Sequence, residues 1–390
     1  MADEFFPEPV SSLYVHVPFC AQKCEYCAFF SEAAKGETVN RYVDALMREM
    51  ELVAADLKPM TIFFGGGTPS LLNLRQWENV LTAMQRLNLS RAAEWTVECN
   101  PATVSLEKAK LLRDGGVNRI SMGVQSLDAN LLDRLGRVHS RAMVFKSFDT
   151  LRAAGFDNVN IDLMFAIPGQ TMEIWKETLA EAVALGSEHL SCYEVIYEED
   201  TPLYQQLQAR EFDVDEELAC AMYEELLQAA SANGFHQYEI ANFARNLSLV
   251  RGEIPDRACR HNVNYWRGGS FYGLGPSAAG YVRGVRTKNW SNTTLYCEQL
   301  ERGQRAIESR EELKPLSRAG ELAAFGLRMN AGWPLVEFKQ RTGFELNEEW
   351  KAEIAQMLDL GYASLDETKF QLTPRGLRYA DWAAERFLRI

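Results

Sequence analysis

Apolar and polar residues alternate in six short stretches between residues 12 and 195, and between them lie segments whose apolar residues recur three and four positions apart. These two periods predict strands and helices respectively. The predicted strands are residues 13–17, 61–64, 95–98, 118–122, 158–165 and 189–195, and the predicted helices are 42–52, 77–87, 106–112, 144–153 and 175–185. Six such units indicate an α/β fold of parallel strands with right-handed crossovers. Six is fewer than the eight of a closed TIM barrel, so we predict a partial (β/α)6 TIM-like barrel.

The pattern changes beyond residue 211 and becomes mostly helical. It predicts an amphipathic helix over 212–234, an edge strand over 238–244, a loop over 246–257, helices over 294–302, 318–329, 335–341 and 348–360, a hairpin of 362–365 with 370–372, and a last helix opened by Pro374. The C-terminal part, with three helices and a hairpin, resembles a winged-helix module. A DNA-recognition helix would be basic, whereas 348–360 carries four acidic residues against one lysine. We therefore expect a lid or a docking surface there.

Three cysteines, Cys20, Cys24 and Cys27, follow the first predicted strand on one loop, because Pro18 ends the strand. A closed zinc site normally has four protein ligands in pairs, and the sequence has no second Cys-x-x-Cys and no histidine pair. A cubane iron–sulfur cluster usually takes four thiolates. Three thiolates therefore favour a cluster with one iron open to a ligand that is not protein, and a structural or zinc-binding loop remains the alternative.

Composition adds limits to this interpretation. The chain has 390 residues, a net charge of −13 and eight cysteines. The charge argues against a nucleic-acid partner, although a local basic patch would escape that average. The sequence has no run of 18 apolar residues, and its first residues are acidic where a signal peptide has bases, so we expect a cytoplasmic protein. Cys99, Cys192, Cys220, Cys259 and Cys297 are isolated, and we predict that they are buried apolar side chains without chemistry.

Polar residues and glycines stand at the ends of the predicted strands. The glycines of 65–67 let backbone approach a ligand, and the strands beyond end near Glu98 and Gln125. Arg137 suits a carboxylate, and Asp162 lies within a strand where a buried acid needs a partner. Taken singly, each of these residues is more simply a structural one.

Taken together, these motifs resemble the coproporphyrinogen-III-oxidase-like family of radical S-adenosyl-L-methionine (SAM) proteins. The spacing C-x-x-x-C-x-x-C, with Tyr26 before the last cysteine, resembles the signature whose three thiolates hold a [4Fe–4S] cluster and leave the fourth iron to SAM. The resemblance implies a set of SAM contacts: Tyr14, Tyr26, Gly66, Gly67, Thr68, Glu98, Gln125, Arg137, Asp162 and Ile196. Thr68 stands where many relatives of the wider class carry an acid. The segment 271–280 resembles the glycine-rich stretch that closes the SAM pocket.

A second segment, HNVNYW at residues 261–266, combines an imidazole with aromatic surface. On residue types alone, a packed His261 that bonds only backbone is the simpler interpretation. The segment matches the H-N-x-x-Y-W motif of the haem chaperone branch of the family, however, and that resemblance implies haem contact through His261.

Two branches of the family must be separated. The motif of the oxidase branch continues to a further cysteine where this chain has Phe29. The oxidases also have a longer extension before the motif than the 19 residues that precede Cys20 here, and they lack HNxxYW. These departures favour a haem chaperone with a [4Fe–4S] cluster, SAM and haem as cofactors, and the oxidative decarboxylation of coproporphyrinogen III remains the alternative. A radical SAM enzyme with another substrate is a third hypothesis. The sequence leaves open whether SAM is cleaved in haem transfer.

The resemblance also sets expectations for partners and domains. The partners are haem, haem-accepting proteins such as respiratory enzymes, and an electron donor for the cluster, with at most peripheral membrane association and room for a homodimer. The predicted domains are a radical SAM core at 1–245, a haem-motif and pocket-closing segment at 246–291, and a C-terminal domain at 292–390.

Overall fold

A computed structural model describes residues 8–246 and 254–389. Its strands are β1 Val10–Val17, β2 Phe19–Cys20, β3 Glu32–Ala33, β4 Leu57–Gly66, β5 Glu94–Cys99, β6 Arg119–Gln125, β7 Val159–Phe165, β8 His189–Glu194, β9 Phe235–Glu239, β10 Asn242–Arg245, β11 Tyr272–Leu274, β12 Ala279–Val282, β13 Val285–Asn289, β14 Ile307–Glu312, β15 Trp333–Pro334, β16 Ala363–Leu365 and β17 Lys369–Leu372.

The helices follow the same order along the chain. They are α1 Gly36–Val53, α2 Leu74–Arg86, α3 Leu106–Asp114, α4 Ala129–Arg134, α5 Arg141–Ala153, α6 Met172–Ala184, α7 Pro202–Gln208, α8 Glu216–Ala232, α9 Arg260–Trp266, α10 Thr293–Glu301, α11 Pro315–Gly326, α12 Leu335–Thr342, α13 Leu346–Glu349, α14 Lys351–Asp359, α15 Pro374–Leu377 and α16 Ala380–Glu385. In the part of the chain that the structure describes, no helix is both long enough and apolar enough to cross a membrane.

The chain divides into two compact units. The first contains the residues up to Val159 together with Ile196–Val214 and Ser270–Glu311, and the second contains Asn160–Val195, Asp215–Gly269 and the residues from Glu312 onward. The sequence-based domain boundaries follow another division and stay a prediction.

All six predicted strands of the α/β region are present, as β1, β4, β5, β6, β7 and β8, with helices between them. In the first unit the parallel strand order is β11, β1, β4, β5, β6. In the second unit β7 and β8 are parallel, and β10 pairs with β8 and β9 in the antiparallel sense. Because the strands of the first unit are parallel, their carboxyl ends share one edge, and side chains that follow those ends come together there.

Apolar side chains explain why the strands and helices of each unit stay together. In the first unit the Phe64 ring of β4 lies 5.3 Å from the ring of Trp77 and 6.0 Å from that of Trp95. In the second unit the buried rings of Trp333, Phe338 and Trp350 form edge-to-face contacts. Burial of such rings removes large apolar areas from water and supplies most of the stabilisation of each unit.

One buried carboxylate joins distant parts of the first unit. Glu49 of α1 is 0% exposed and accepts hydrogen bonds from the backbone N–H of Gly275 at 2.9 Å, from Asn289 Nδ2 at 2.9 Å and from the Tyr296 hydroxyl at 2.8 Å. Arg305 Nε lies 3.7 Å from Glu49 Oε1. A buried charge needs such partners, so Glu49 fixes the glycine-rich segment around Gly275 against α1.

Two predicted elements were wrong in form. Residues 238–244 are not one edge strand, because β9 and β10 form a hairpin whose turn is held by Glu239, which accepts from the N–H of Ala241 at 3.0 Å. The predicted helix 348–360 is broken at Trp350, whose ring is buried and whose Nε1 donates to Phe387 O at 2.9 Å. At Trp350 a tertiary contact overrides the local pattern, whereas the turn at Glu239 is a local hydrogen bond that the alternation did not indicate.

Other expectations were incomplete. The sequence pattern did not predict α4, α9 or the three-stranded sheet of β12, β13 and β14. Of the five isolated cysteines, four are buried as predicted, whereas Cys220 is exposed on α8. Residues 247–253 of the predicted loop at 246–257 lie outside the described residues.

Candidate cofactor site

The three cysteines lie on a loop between two short parallel strands. Cys20 ends β2, which pairs with β3 through Phe19 with Glu32 and Cys20 with Ala33. Within the loop, the N–H of Cys27 donates to Cys24 O at 3.2 Å. All three side chains are half-buried. The loop is thus closed at its base and presents thiols that a ligand can still reach.

Two side chains from other elements donate hydrogen bonds to cysteine sulfurs. The Thr68 hydroxyl lies 3.7 Å from Cys20 Sγ, and Arg137 Nη1 lies 3.4 Å from Cys24 Sγ. Hydrogen bonds to sulfur stabilise the thiolate form and help to set the properties of an iron–sulfur cluster. Two of the three sulfurs thus accept hydrogen bonds from side chains of other elements, an arrangement that suits metal ligands.

Arg137 is held in place by backbone. Its Nη2 donates to Gly123 O at 2.6 Å, and its Nε is buried without a hydrogen-bond partner. Burial acts to lower the pKa of Arg137, but the neighbouring Tyr26 and Cys24 side chains raise it, and the net shift of the pKa is upward. The guanidinium is therefore a fixed cation beside the cysteine loop.

The glycine segment lies directly against the backbone that leads into the cysteine loop. Gly67 N–H donates to Val17 O at 2.8 Å, and Thr68 N–H donates to Phe19 O at 2.7 Å. A Cβ at Gly67 would stand 2.7 Å from the carbonyl oxygens of both Phe19 and Val17. Only glycine permits this approach, which brings the Thr68 hydroxyl to Cys20.

Glu98, at the end of β5, reaches the same segment. Its Oε2 accepts from the N–H of Gly66 at 3.2 Å, and a Cβ at Gly65 would lie 3.0 Å from its carboxyl carbon. Burial and the Glu98 charge raise the pKa of Tyr14, so the phenol stays protonated. Tyr14, Gly66 and Glu98 are thus neighbours, as the resemblance implied.

Gln125, the last residue of β6, has a φ of +65°. A non-glycine residue in this left-handed region carries strain that persists where the surrounding structure imposes it, often at functional sites. A Cβ at Gly123 would stand 3.2 Å from Gln125 Nε2 and 3.3 Å from Arg137 Nη2. The absence of a side chain at Gly123 therefore leaves room for the amide and the guanidinium side by side.

Sequence reasoning missed His16. Its Nδ1 is 3.0 Å from the Tyr14 hydroxyl, and its Nε2 is 2.8 Å from Phe30 O, beyond the last cysteine of the loop. A Cβ at Gly66 would lie 2.4 Å from the imidazole. The available signal was the alternation in β1, which places Tyr14 and His16 on one face of the strand.

The surroundings of the site raise the pKa of the Cys27 thiol and keep His139 neutral. Burial raises the pKa of the Cys27 thiol, and the neighbouring Cys24 and Cys20 raise it further. Burial and the Arg137 charge lower the pKa of His139 to about 4. Its Nε2 donates to Val124 O at 3.0 Å and its Nδ1 is buried without a partner, so His139 is neutral at ordinary pH.

Two other predicted SAM contacts are Ile196 and Asp162. Ile196 is 68% exposed. Asp162 lies in the second unit, half-buried on β7, where its Oδ1 accepts from Asn160 Nδ2 at 2.7 Å. Burial and the Asp162 charge raise the pKa of Cys192 on β8. The structure gives Asp162 a local partner that the sequence did not indicate.

His261, in the second unit, lies in the first turn of α9 and is 1% exposed. Its Nε2 is 2.8 Å from the Tyr265 hydroxyl, and the two rings meet edge to face with centroids 4.6 Å apart. The helix is anchored by Arg267, which donates to Gly332 O at 2.7 Å, and by Arg328, which lies 5.0 Å from the Trp266 ring. In this conformation the imidazole is not presented to a ligand.

The donor set can be tested against the groups that the sequence implies. Among the described residues, no three Cys, His, Asp or Glu side chains converge as ligands of a single metal ion do. In a cubane each iron takes its own thiolate. The half-buried thiols, the donors on two of their sulfurs and the glycine backbone beside them fit a cluster with a small polar ligand. A haem at His261 fits only after the bond to Tyr265 is broken.

Comparison with known proteins agrees with this geometry. The sequence matches the Radical SAM superfamily over residues 14–182 and the HemN C-terminal domain over residues 313–379. The solved structure of coproporphyrinogen III oxidase (HemN) from Escherichia coli, described as a radical SAM enzyme, has a TM-score of 0.83 and covers 98% of this chain and 91% of its own at 21% identity. That likeness shows the fold.

Curated relatives define the family more closely. The chain is 34% identical to the protein named heme chaperone HemW of Bacillus subtilis over 94% of this chain and 96% of the relative. It is 32% identical to the protein of the same name from Lactococcus lactis over 97% of each chain. The chain therefore belongs to the radical SAM superfamily and, within it, to the HemW family. The predicted partial α/β barrel with a mostly helical C-terminal domain is confirmed by this fold.

Proposed function

We propose that this protein is a haem chaperone that binds a [4Fe–4S] cluster, SAM and haem and delivers haem to haem-dependent respiratory enzymes. The observation that carries the proposal is the similarity, along nearly the whole of both chains, to relatives named heme chaperones. That similarity extends over 97% of this chain in one relative and 94% in the other.

Cys20, Cys24 and Cys27 hold the cluster, each on its own iron. The Thr68 hydroxyl at 3.7 Å from Cys20 Sγ and Arg137 at 3.4 Å from Cys24 Sγ support this assignment, because donors to the sulfurs orient metal ligands. When bound and reduced, such a cluster supplies single electrons to SAM. Cleavage of SAM in haem transfer is not part of the proposal.

SAM lies against the residues that share the edge of the first unit. Backbone of the glycine segment and the Glu98 carboxylate suit its amino and hydroxyl groups, and Arg137 suits its carboxylate. The proposed contacts are Tyr14, Tyr26, Gly66, Gly67, Thr68, Glu98, Gln125, Arg137, Asp162 and Ile196. The hydrogen bonds and close approaches among most of the first-unit members support the set.

Haem binds through His261. Imidazole is a usual axial ligand of haem iron. Since Nε2 is bonded to Tyr265 in the buried conformation, haem binding requires α9 to shift or the Tyr265 side chain to rotate. The flat indole of Trp266, next along α9, supplies aromatic surface for a porphyrin.

The remaining expectations belong to the same proposal. The protein works in the cytoplasm, receives electrons from a low-potential donor protein, and passes haem to respiratory acceptors without binding nucleic acid. It associates with membranes at most peripherally, and formation of a homodimer is compatible with the proposal. No specific observation favours coproporphyrinogen oxidase activity, because the likeness to that enzyme is one of fold and Phe29 stands where its motif has a further cysteine.

The test combines two anaerobic assays on protein reconstituted with iron and sulfide. With SAM, reductant and coproporphyrinogen III, we expect no protoporphyrinogen, and with a haem-free cytochrome as acceptor, the haem-loaded protein is expected to transfer haem. The variant His261→Ala is the control for the ligand. Formation of protoporphyrinogen, or haem binding with an unchanged spectrum in His261→Ala, would contradict the proposal.

A further inference from the structure

The side chain of Arg137 contacts both a proposed cluster ligand and a backbone carbonyl of β6. Nη1 lies 3.4 Å from Cys24 Sγ, and Nη2 donates to the carbonyl oxygen of Gly123 at 2.6 Å. The Gly123 carbonyl belongs to the backbone of β6, so this hydrogen bond holds the guanidinium beside the cysteine loop. Its contact with the sulfur is therefore built into the protein.

Arg137 also lacks an ordinary counter-ion. No Asp or Glu within the residues that the structure describes lies at ion-pairing distance from it, and its Nε is buried without a partner. A guanidinium removed from water is unfavourable unless a negative group compensates it. The thiolates of the cysteine loop are the negative groups at hand.

We propose that Arg137 is the counter-ion of the cluster thiolates and raises the reduction potential of the cluster before SAM binds. Reduction adds one electron to the [4Fe–4S]2+ state and gives [4Fe–4S]+, with no bond made or broken, and the electron comes from a low-potential flavin or iron–sulfur protein. The added negative charge is attracted by the fixed cation, so the reduced state is stabilised more than the oxidised state.

This inference rests on the proposed cluster at Cys20, Cys24 and Cys27, and it goes beyond the proposed contact of Arg137 with the SAM carboxylate. A clamp for the carboxylate acts only when SAM is bound. A counter-ion of the thiolates acts without SAM. The potential of the SAM-free protein therefore separates the two roles.

The experiment is an anaerobic potentiometric titration of the SAM-free, reconstituted full-length protein, followed by the EPR signal of the reduced cluster. Arg137→Gln removes the cation and keeps hydrogen-bonding atoms. Arg137→Lys keeps the charge but replaces the guanidinium, which donates through two nitrogens, with a single ammonium group. Arg141→Gln removes a cation from an exposed position on α5, where its guanidinium lies 4.7 Å from the Phe145 ring, and serves as the matched control.

At the wild-type midpoint potential, we expect the ratio of reduced to oxidised cluster to fall on the order of tenfold in Arg137→Gln, to fall less in Arg137→Lys, and to stay unchanged in Arg141→Gln. Equal midpoints for wild type and Arg137→Gln would overturn the inference. If Arg137→Gln fails to hold the cluster, Arg137→Met, which removes the cation and keeps an unbranched side chain, takes its place, and a midpoint equal to that of wild type overturns the inference as well. A wild-type protein that takes up no cluster would instead refute the proposed function.

Discussion

The Tyr265 hydroxyl lies 2.8 Å from Nε2 of His261, one helical turn away on the same face of α9. An imidazole nitrogen that shares a hydrogen bond has no free lone pair for iron, so the two interactions exclude each other. Removal of this bond in Tyr265→Phe should favour the conformation that binds haem. Since a neutral hydrogen bond contributes about 1 kcal/mol, we expect the apparent haem affinity to rise about fivefold, measured by titration of the Soret band.

Tyr379→Phe is the control for this variant. Tyr379 is half-exposed and stacks on Tyr362 in the C-terminal part of the chain. Its hydroxyl should not affect haem. If Tyr265→Phe binds haem no better than Tyr379→Phe, the bond to His261 does not limit haem binding.

Gly66 should not tolerate alanine. Its φ is +100°, and a Cβ would lie 2.4 Å from the His16 imidazole. Gly155 has a φ of +89° with no atom within 4 Å of a built Cβ, so Gly155→Ala isolates the backbone cost, on the order of 1 kcal/mol. We expect Gly66→Ala to destabilise the protein more and to lose SAM binding, measured by denaturant unfolding and equilibrium dialysis. Equal losses of stability and of SAM binding in both variants would show that the contact with His16 adds nothing to the cost of the substitution.

Cluster loading should depend on the cysteine loop and on no isolated thiol. Cys24→Ala removes one of three thiolates and leaves Arg137 without its sulfur partner, so we expect reconstituted iron and sulfide to fall to background. Cys220→Ala changes an exposed cysteine on α8 and should load normally. Full loading of Cys24→Ala would remove Cys24 from the ligand set.

Stability should fall with acid partly because of His139. Its pKa is lowered from 6.5 to about 4 by burial and the charge of Arg137. A depressed folded-state pKa contributes stability that is present above 6.5 and is lost as pH falls through about 4, because the unfolded chain takes up the proton first. This linkage is on the order of 3 kcal/mol.

The corresponding measurement is urea unfolding of cluster-free protein at several pH values. In His139→Gln the loss of free energy of unfolding between pH 6.5 and 4 should be smaller than in wild type. The glutamine amide can still donate to Val124 O, which limits the structural change. Parallel pH profiles for the two proteins would exclude His139 as a source of acid sensitivity.

The sequence predicted those parts of the molecule that depend on local periodicity. The six strands and the cysteine loop followed from alternation, from Pro18 and from spacing. The break of the helix at Trp350 depends on the carbonyl of Phe387, which is distant in sequence. No local pattern contains that information.

At the candidate site, too, the sequence did not show which distant residues come into contact. A resemblance identified Thr68 and Arg137 as SAM contacts, but their hydrogen bonds to Cys20 and Cys24 depend on the order in which β1, β4, β5 and β6 pair in the sheet. The positive φ of Gln125 and the double hydrogen bond of His16 likewise arise from tertiary structure. Residue types indicated the chemistry, and only the fold showed which atoms meet.

The hydrogen bonds of the Glu49 carboxylate predict how a shortened chain would behave. Residues 14–182 match the superfamily, yet Gly275, Asn289 and Tyr296, the donors that neutralise Glu49, are synthesised long afterwards. During synthesis, Glu49 of α1 lacks these donors until more than 200 further residues have been made, because Gly275 lies 226 positions beyond Glu49. A truncated fragment would keep an acid in an apolar interior with its donors missing, and it should be recovered as aggregate unless residues 270–311 are supplied as a separate peptide.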